Sequence, residues 1–361
     1  MSIDRADGDE HARAGATRLL ALARSAPSLA RLRLAAAMDD FFLSEDGRLD
    51  DRTRASLAAL VNAIVGRTEG EIRAGAANAL ASEPSLAAVI LHGPPALDAL
   101  IAGGHLREDA LLEELLARVR LDQLAAALPF VAPERPDQPS LLVRLSADPN
   151  PAVARPAMAL MAAESRRRAF ADTGRLTRSE LPAELHHRLL WLVAAAIRAG
   201  IADPATTIDM AIAEAATRAL ASHDEADSLE GAAMQLAVGI DARPDELGEL
   251  LLATLQDRRP VLLVAVLARA LRVDATRIRD IATTADAAAL WLALRAAGLD
   301  RSWVSRIGLA LADADPRRDV DQLPDTVDAV MTLSVAEADQ ALASLRLPVD
   351  YRRALDRIGQ Q

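Results

Sequence analysis

The sequence predicts an all-α protein, and three observations support this fold class. Hydrophobic residues make up 51% of the 361 positions but aromatic residues only 2%, so the helix formers alanine and leucine supply most of the apolar surface. Apolar residues recur at helical spacing almost throughout, as in the stretch 112–119, where Glu114 and Arg118 are expected to pair at i,i+4. Strand-like alternation is nearly absent, while helix-start signals are dense. We therefore expect about twenty helices joined by short loops.

Polar side chains and prolines mark where individual helices begin. A side-chain oxygen caps free amides at a helix start, and a proline at the first helical position loses no hydrogen bond. Three pairs fit this pattern: Asn150-Pro151, Asp203-Pro204 and Asp315-Pro316. Three further pairs have the spacing of a capping box: Thr68 with Glu71, Asp227 with Glu230, and Ser334 with Glu337.

The clearest interruption is the segment PFVAPERPDQPS at residues 129–140, where four prolines in twelve positions exclude a continuous helix. We place a subdomain boundary there. It separates an N-terminal helical subdomain, residues 1–130, from a C-terminal helical-repeat subdomain, residues 131–361. The alternative is one continuous solenoid. A second loop, ADTGRLTRSE at 171–180, precedes the helix that carries the histidine motif discussed below.

Two stretches resemble the second helix of HEAT-type repeats. IRAGAANAL at 72–80 resembles that pattern directly. DPNPAVARPAMAL at 148–160 is similar, but Ala154 stands between the valine and the arginine and shifts the arginine around the helix. The resemblance implies an irregular α-solenoid, a HEAT-like stack of antiparallel helix pairs in which small alanines let helices approach closely.

Several segments together resemble an alphaproteobacterial family known as a domain of unknown function, number 2336. They are DDFFLSEDGRLDDRTRASLAAL at 39–60, AAESRRR at 162–168, ELPAELHHRLLWLVAAAIR at 180–198, RIGLALADADPRRD at 306–319 and VDYRRAL at 349–355. The resemblance spans most of the chain. It implies an α-helical, HEAT-like protein of the bacterial cytoplasm, and it brings no assigned catalytic residues.

The composition excludes several chemistries. All 41 basic residues are arginine, so Schiff-base, P-loop and protein-kinase lysines are absent, and the absence of cysteine removes thiol nucleophiles and thiolate metal sites. The net charge of −11 opposes binding to nucleic acid. The N-terminus lacks the apolar core of a signal peptide, and the longest apolar run, Val261–Ala268, is too short to span a membrane. We therefore expect a cytoplasmic protein that uses no cofactor and no membrane.

The motif ELHHRLLW at 184–191 raises the question of a metal site. Glu184 and His187 have the Glu-x-x-His spacing of di-iron bundles, but the chain has no second copy of that motif. His186 and His187 lie about 100° apart around a helix, so they cannot both face one ion from the same stripe. We expect packing instead of metal binding, with one histidine partly buried and bonded to backbone and the other exposed.

An enzymatic alternative combines His187 with His223 and Asp224, followed by a later aspartate such as Asp274. All-α HD-type phosphohydrolases gather H, HD and D from separate helices around divalent metals, and the order of these residues fits. The segment SHDEADSLE also fits an interhelical turn, and the glycine and lysine that usually follow the HD pair are missing. Catalytic residues are therefore assigned only under this alternative.

Arginine clusters are the candidate partner-binding residues. Guanidinium groups suit bidentate capture of carboxylate or phosphate, and the triplet Arg166, Arg167 and Arg168 stands beside the 171–180 loop. The pairs Arg258-Arg259, Arg317-Arg318 and Arg352-Arg353 are expected to mark solvated helix faces.

Large apolar residues indicate what the core contains. Trp191 and Trp291 are expected to be core anchors, whereas Trp303 is a candidate for an exposed binding residue. The stretch PVLLVAVLARAL at 260–271 is apolar on nearly all sides, so it must be buried between layers or at an oligomer interface.

These features favour a non-catalytic regulatory or scaffolding protein that binds another protein through a helical-repeat surface. The alternatives are the metal-dependent phosphohydrolase, or its degenerate nucleotide-sensing relative, and a carrier of an apolar ligand. Homo-oligomerisation is left open.

Overall fold

The protein is all-helical in the residues that the computed structural model describes, namely 49–129, 139–202, 205–284 and 288–348 with Tyr351, Ala354, Leu355 and Ile358. This part of the chain contains sixteen α-helices and no strand. In chain order they are α1 (Asp51–Ala79), α2 (Pro84–Leu91), α3 (Ala96–Ala102), α4 (Asp109–Ala127), α5 (Leu141–Ser146), α6 (Pro151–Thr173), α7 (Ala183–Ala199), α8 (Thr206–Ala221), α9 (Leu229–Ile240), α10 (Pro244–Gln256), α11 (Pro260–Leu271), α12 (Ala275–Thr283), α13 (Ala288–Ala296), α14 (Arg301–Ala314), α15 (Leu323–Met331) and α16 (Val335–Ala341). Two short 3₁₀ helices, Glu225–Asp227 and Ala343–Arg346, complete the described elements. The predicted fold class is confirmed.

The chain divides into two compact units, residues 1–54 and residues 55–361. In the first unit the described residues are 49–54. There the Asp50 carboxylate accepts hydrogen bonds from the backbone amide and the hydroxyl of Thr53, at 2.7 and 2.8 Å. The start of α1 is thereby capped.

The second unit has two hydrophobic cores. The N-terminal core is formed by α1–α3, the first half of α4, and α7 and α8. The C-terminal core is formed by the end of α4, by α5 and α6, and by α9–α15. The chain therefore passes between the cores three times: within α4, through the loop 174–182, and through the turn 222–228. The predicted boundary near residue 130 stays a prediction, and its proline-rich segment 130–138 lies outside the described residues.

Helices pack both on their chain neighbours and on helices further away in the sequence. Neighbouring pairs include α5 with α6, α7 with α8, and α11 with α12, while α6 packs extensively on α9, and α13 packs on α16. Gly239 lets α6 and α9 approach closely at their crossing. A Cβ at that position would lie 2.0 Å from the carbonyl oxygen of Ala152. Stacking of these pairs into a HEAT-like solenoid stays a prediction.

Two of the predicted helix starts are confirmed. Asn150 caps α6 with its side chain, which accepts a hydrogen bond from the Ala152 amide at 3.0 Å, and Pro151 occupies the first helical turn. Ser334 and Glu337 form the reciprocal capping box of α16. In both cases a local sequence signal determines a local structure.

Three other predicted helix starts are wrong, and a fourth falls on residues that the structure does not describe. Thr68 lies inside α1, where its hydroxyl donates to the Ile64 carbonyl, so no helix begins there. The cap of α9 is Ser228 rather than Asp227, one residue later than predicted. Asp315 ends α14 instead of starting a helix. Asp203-Pro204 lies outside the described residues.

The large apolar residues follow the prediction in part. The apolar helix α11 is buried within the chain, with Val261 through Ala268 all inside the C-terminal core. Trp291 is a core residue with 7% of its surface exposed. Trp191 is 38% exposed, so its assignment to the core is wrong. Trp303 is half-buried and stacks under the Arg306 guanidinium at 4.9 Å.

Among the described helices, none is by itself long and apolar enough to cross a membrane. The bent pair α2 and α3, which meet at 51°, satisfies the length and composition criteria only when both are counted together.

Candidate functional site

The two adjacent histidines of the ELHHRLLW motif have opposite environments. His186 is buried, with 5% of its surface exposed, and its Nδ1 lies 3.1 Å from the Ser179 hydroxyl. His187 is exposed, and the Trp191 indole donates to its Nε2 at 3.3 Å. The prediction of one buried and one exposed histidine is confirmed, but the buried ring bonds to a side-chain hydroxyl rather than to backbone.

His186 stacks on His223, with ring centroids 4.0 Å apart and an interplanar angle of 18°. The Nε2 atom of His223 lies 3.0 Å from the carbonyl oxygen of Leu181. Burial lowers the pKa of His186 to about 4, and the neighbouring His223 and His187 act in the same direction. The His186 ring is therefore neutral near pH 7 and serves packing between the loop 174–182 and the turn 222–228.

The structure does not bring together the residues of the phosphohydrolase alternative. His187 contacts Trp191, whereas His223 stacks on His186. Asp224 caps the 3₁₀ helix that follows it, and Asp274 caps α12. In the part of the chain that the structure describes, no three histidine, cysteine or acidic side chains are grouped so that they could hold a metal ion.

The predicted arginine triplet occupies three different environments. The Arg166 guanidinium donates to the carbonyl oxygen of Asp227 at 2.6 Å. Arg167 is buried with 9% exposure, among acidic side chains. Arg168 is exposed, and its guanidinium makes no hydrogen bond or ion pair with any described residue. Of the three, only Arg168 exposes a guanidinium that has no bond to another described residue.

Two of the remaining arginine pairs bind helix ends instead of marking solvated faces. Arg258 donates to the last carbonyls of α4 at 3.1 and 2.6 Å. Arg318 donates to carbonyls at the end of α12 at 2.6 and 3.1 Å. The last carbonyls of a helix lack internal partners and carry partial negative charge, so a guanidinium fork suits them. Arg352-Arg353 lies outside the described residues.

A buried charge cluster lies where the two cores meet. This junction cluster consists of Arg118, Asp122, Arg167, Glu180 and Glu230. Arg167 bonds to all three carboxylates, at 3.2 Å to Asp122, 2.8 Å to Glu180 and 3.0 Å to Glu230. Arg118 lies 3.3 Å from the Glu180 carboxylate but donates no hydrogen bond. The cluster links α4, α6, the loop 174–182 and α9.

The two arginines of the junction cluster have pKa values that are shifted in opposite directions. Burial acts to lower the pKa of Arg167, but attraction by Glu230, Asp122 and Glu180 outweighs it and raises that pKa well above its usual value. Burial together with repulsion from Arg167 lowers the pKa of Arg118. Burial acts to raise the pKa of Glu230, but Arg167 and Arg118 outweigh it and lower that pKa. Arg167 is therefore the electrostatic centre of the cluster.

The expected pair between Glu114 and Arg118 is not formed. Glu114 accepts two hydrogen bonds from Arg279, at 2.9 and 2.7 Å, while Arg118 faces Glu180. The helical spacing correctly places Glu114 and Arg118 on the same face of α4. It could not show that longer-range partners would replace the local one.

A small cleft adjoins the junction cluster. Its volume is about 90 Å³, and its lining includes four glutamates and an arginine: Glu114, Glu180, Glu225, Glu230 and Arg279. Pockets for small molecules usually exceed about 300 Å³ and are mainly apolar. The cleft is therefore too small for an apolar ligand of ordinary size.

The outward side of α6 combines free arginines with exposed methionines. We call it the α6 face and define it by Arg155, Met158, Met161 and Arg168. Met158 and Met161 are 52% and 37% exposed. Arg155 and Arg168 are exposed, and neither guanidinium makes a hydrogen bond or ion pair with the described residues. The opposite side of the helix is buried through Val153, Ala157, Leu160, Ala163 and Arg167.

Neighbouring residues continue this surface. Exposed Val143 and Arg144 lie on α5, which packs on α6, and exposed Arg175 follows the C-cap glycine of α6. The run of three arginines identifies Arg168 but gives no indication of Arg155, Met158 and Met161. Their positions opposite the apolar stripe of α6 are the sequence signal that identifies them.

Comparison with known proteins gives a family but no relative of known activity. The model of the family described as an uncharacterised protein conserved in bacteria, DUF2336, matches residues 134–343, which include α5–α16 and hence the α6 face. No curated protein and no solved structure matches the chain. The predicted family is thus confirmed, while its restriction to alphaproteobacteria stays a prediction. Because the match covers more than half of the chain, this protein belongs to the bacterial family DUF2336.

Proposed function

We propose that this chain is a non-catalytic regulatory or scaffolding protein that binds another protein through the α6 face. The observation that carries the proposal is that one helix combines exposed methionines with arginines whose guanidinium groups make no bond to the described residues. Arginine and methionine are enriched at protein interfaces, and flexible methionine side chains adapt to a partner surface. HEAT-like stacking, if present, would make this face part of a longer binding surface.

The use of arginine elsewhere in the chain supports this assignment. Most described arginines bond to carboxylates or helix-end carbonyls of the chain itself, as Arg167, Arg258 and Arg318 do. Exposed arginines whose guanidinium makes no such bond to the described residues include four around α6, namely Arg144, Arg155, Arg168 and Arg175, besides others elsewhere such as Arg107 and Arg272. A guanidinium that is free in the isolated chain keeps its full capacity to bind a partner carboxylate.

The phosphohydrolase alternative is not favoured. It would require His187, His223 and Asp224 to surround one metal ion. Their contacts with Trp191, His186 and the turn 225–227 argue for packing and capping roles instead. A location in the bacterial cytoplasm remains part of the proposal, and fractionation of native cells tests it.

Affinity capture from the native bacterium tests the proposal. The double variant Met158→Glu with Arg168→Glu removes one apolar contact and reverses one charge on the α6 face. Met210→Glu with Arg107→Glu is the matched control, because Met210 is 68% exposed on α8 and the exposed Arg107 guanidinium makes no bond to the described residues. We expect a specific partner with the wild type and the control, and at least about a tenfold loss with the α6 variant.

Equal recovery by both double variants would contradict the proposal. Thermal unfolding of both variants is measured in parallel, because exposed substitutions should leave stability nearly unchanged. A large loss of stability in the α6 variant alone would assign the α6 face to folding instead of binding.

A further inference from the structure

We infer that the α6 face binds an acidic amphipathic helix of the partner protein. The inference rests on the proposed function and adds the chemistry of the contacting segment. It is based on the spacing of the exposed residues, the local sign of the charge and the absence of a strand edge in the described residues.

The spacing of the α6 face fits a helix laid along it. Arg155 and Arg168 are thirteen positions apart, which is about 20 Å along the helix axis and about 140° around it, so they flank the methionines on opposite sides. Met158 and Met161 lie between them, so the apolar centre has a guanidinium toward each end. A partner helix of about four turns, with apolar residues at i, i+3, i+4 and i+7, would cover the methionines and place flanking carboxylates near the arginines.

The local charge is positive although the whole chain is negative. On α6, Glu164 is half-buried and bound to Arg259 at 3.1 Å, which leaves Asp172 as the exposed carboxylate of that helix. Exposed Arg175 lies three residues beyond Asp172, and Arg144 adds a charge from α5. On α9, which packs on the inner side of α6, Glu230 is engaged by Arg167. The exposed charge that a partner meets is therefore mainly cationic, which selects an acidic segment.

A helix is favoured over an extended peptide or a membrane surface. Extended peptides usually bind by adding a strand to a sheet edge, and the described residues contain no strand. An anionic bilayer would present a plane of negative charge to the whole chain, whose net charge is −11, whereas a single helix contacts only the local basic surface. Methionine-rich faces are also suited to binding helices of different shapes.

Site-specific photo-crosslinking in the native bacterium tests the inference. The full chain carries benzoylphenylalanine in place of Met161, and a matched chain carries it in place of Met210. After irradiation, mass spectrometry identifies the crosslinked segments. We expect the Met161 position to crosslink a partner segment that has net negative charge and helical apolar spacing, and the Met210 position not to do so.

Charge reversal gives the second arm of the test. Arg155→Glu with Arg168→Glu should lower the Met161 crosslink by about tenfold or more, because two charge pairs become repulsive. Arg107→Glu with Arg272→Glu is the matched control, because both guanidinium groups are exposed and make no bonds to described residues, and it should leave the crosslink unchanged.

The outcomes separate the inference from the proposed function. A Met161 crosslink to a neutral or basic protein segment overturns the acidic helix and leaves protein binding intact. Crosslinks only to lipid, only to this chain itself, or no stronger than those at Met210 overturn both. Insensitivity of the crosslink to the arginine reversals overturns the acidic helix alone.

Discussion

Arg167 and Glu180 form an ion pair of 2.8 Å in the protein interior, although they are thirteen positions apart in the chain and the C-terminus of α6 lies between them. The pair fixes the loop 174–182 on α6 at the level where the N-terminal and C-terminal cores meet. Asp122 and Glu230 extend it to α4 and α9. Because Arg167 and Glu180 are withdrawn from water, each depends on the other for compensation, whereas Asp122 and Glu230 remain partly exposed.

Replacing Arg167 should destabilise the fold strongly. Arg167→Met leaves the buried Glu180 carboxylate and the partly exposed Asp122 and Glu230 with Arg118 as their remaining cation in the cluster. Uncompensated buried charge typically costs about 3–5 kcal/mol, and we expect the lower end of that range because only one of the three carboxylates is buried. The free energy of unfolding from urea titration measures the effect. Arg168→Met is the adjacent control and should change it by less than about 0.5 kcal/mol, because the Arg168 guanidinium is exposed and makes no bond within the described part of the chain. Similar losses for both variants would refute the central role of Arg167.

Arg118 should matter less than Arg167. Its guanidinium is buried but donates no hydrogen bond, and burial together with repulsion by Arg167 lowers its pKa. Arg118→Met removes one ion pair, but it also relieves the cost of burying a guanidinium and its repulsion by Arg167. We therefore expect its loss of unfolding free energy to be smaller than that of Arg167→Met by about 2 kcal/mol. The same titrations compare the two variants. A larger loss for Arg118→Met than for Arg167→Met would show that the cluster depends mainly on Arg118.

The α6–α9 crossing should not tolerate a methyl group. A Cβ at Gly239 would lie 2.0 Å from the Ala152 carbonyl oxygen and 2.9 Å from its carbonyl carbon, so the helices must separate. We expect Gly239→Ala to cost about 3 kcal/mol or more, at the upper end of overpacking effects. Gly70→Ala is the control, because nothing lies within 4 Å of a Cβ there and the change should stabilise α1 by about 0.5–1 kcal/mol. Calorimetry measures the unfolding temperature of both variants. A shift in the same direction for both would contradict this prediction.

The buried His186 should make stability depend on pH. Its pKa is about 4 in the folded protein and 6.5 ordinarily, so below pH 6.5 the unfolded chain takes up a proton that the folded chain does not. This contribution is complete above pH 6.5 and is lost as the pH falls toward 4, by at most about 1.4 kcal/mol per pH unit. His186→Leu should therefore flatten the stability profile between pH 6.5 and 5. An unchanged slope in His186→Leu would contradict the assignment.

Local signals predicted the parts of the structure that depend on local interactions. The Asn150 cap, the Ser334 capping box and the burial of α11 follow from residues within one or two turns of each other. The partners of Glu114 and Arg167 do not, because Arg279 lies 165 positions from Glu114, and Glu230 lies 63 from Arg167. A single sequence contains no signal for such pairings.

The sequence predicts the candidate site only in part, again because long-range contacts decide which side chains are covered. Three consecutive arginines point in three directions around a helix, and which of them faces solvent depends on what covers the other sides. Arg168 is exposed, as a binding residue must be, whereas Arg167 is buried, and the role of Arg168 in binding stays a prediction. Trp191 was misplaced because its size favours burial, whereas its helix position exposes it beside His187.

Hydrogen–deuterium exchange of the protein, alone and in complex with its co-purified partner, tests the binding account most directly. Amides that a partner covers exchange more slowly, and mass spectrometry locates them by segment. We predict increased protection in α5 and α6, centred on residues 155–168, with little change in α2, α3 and α8. Protection confined to α2 and α3, or to any surface that excludes α6, would contradict the claim that the α6 face is the binding site.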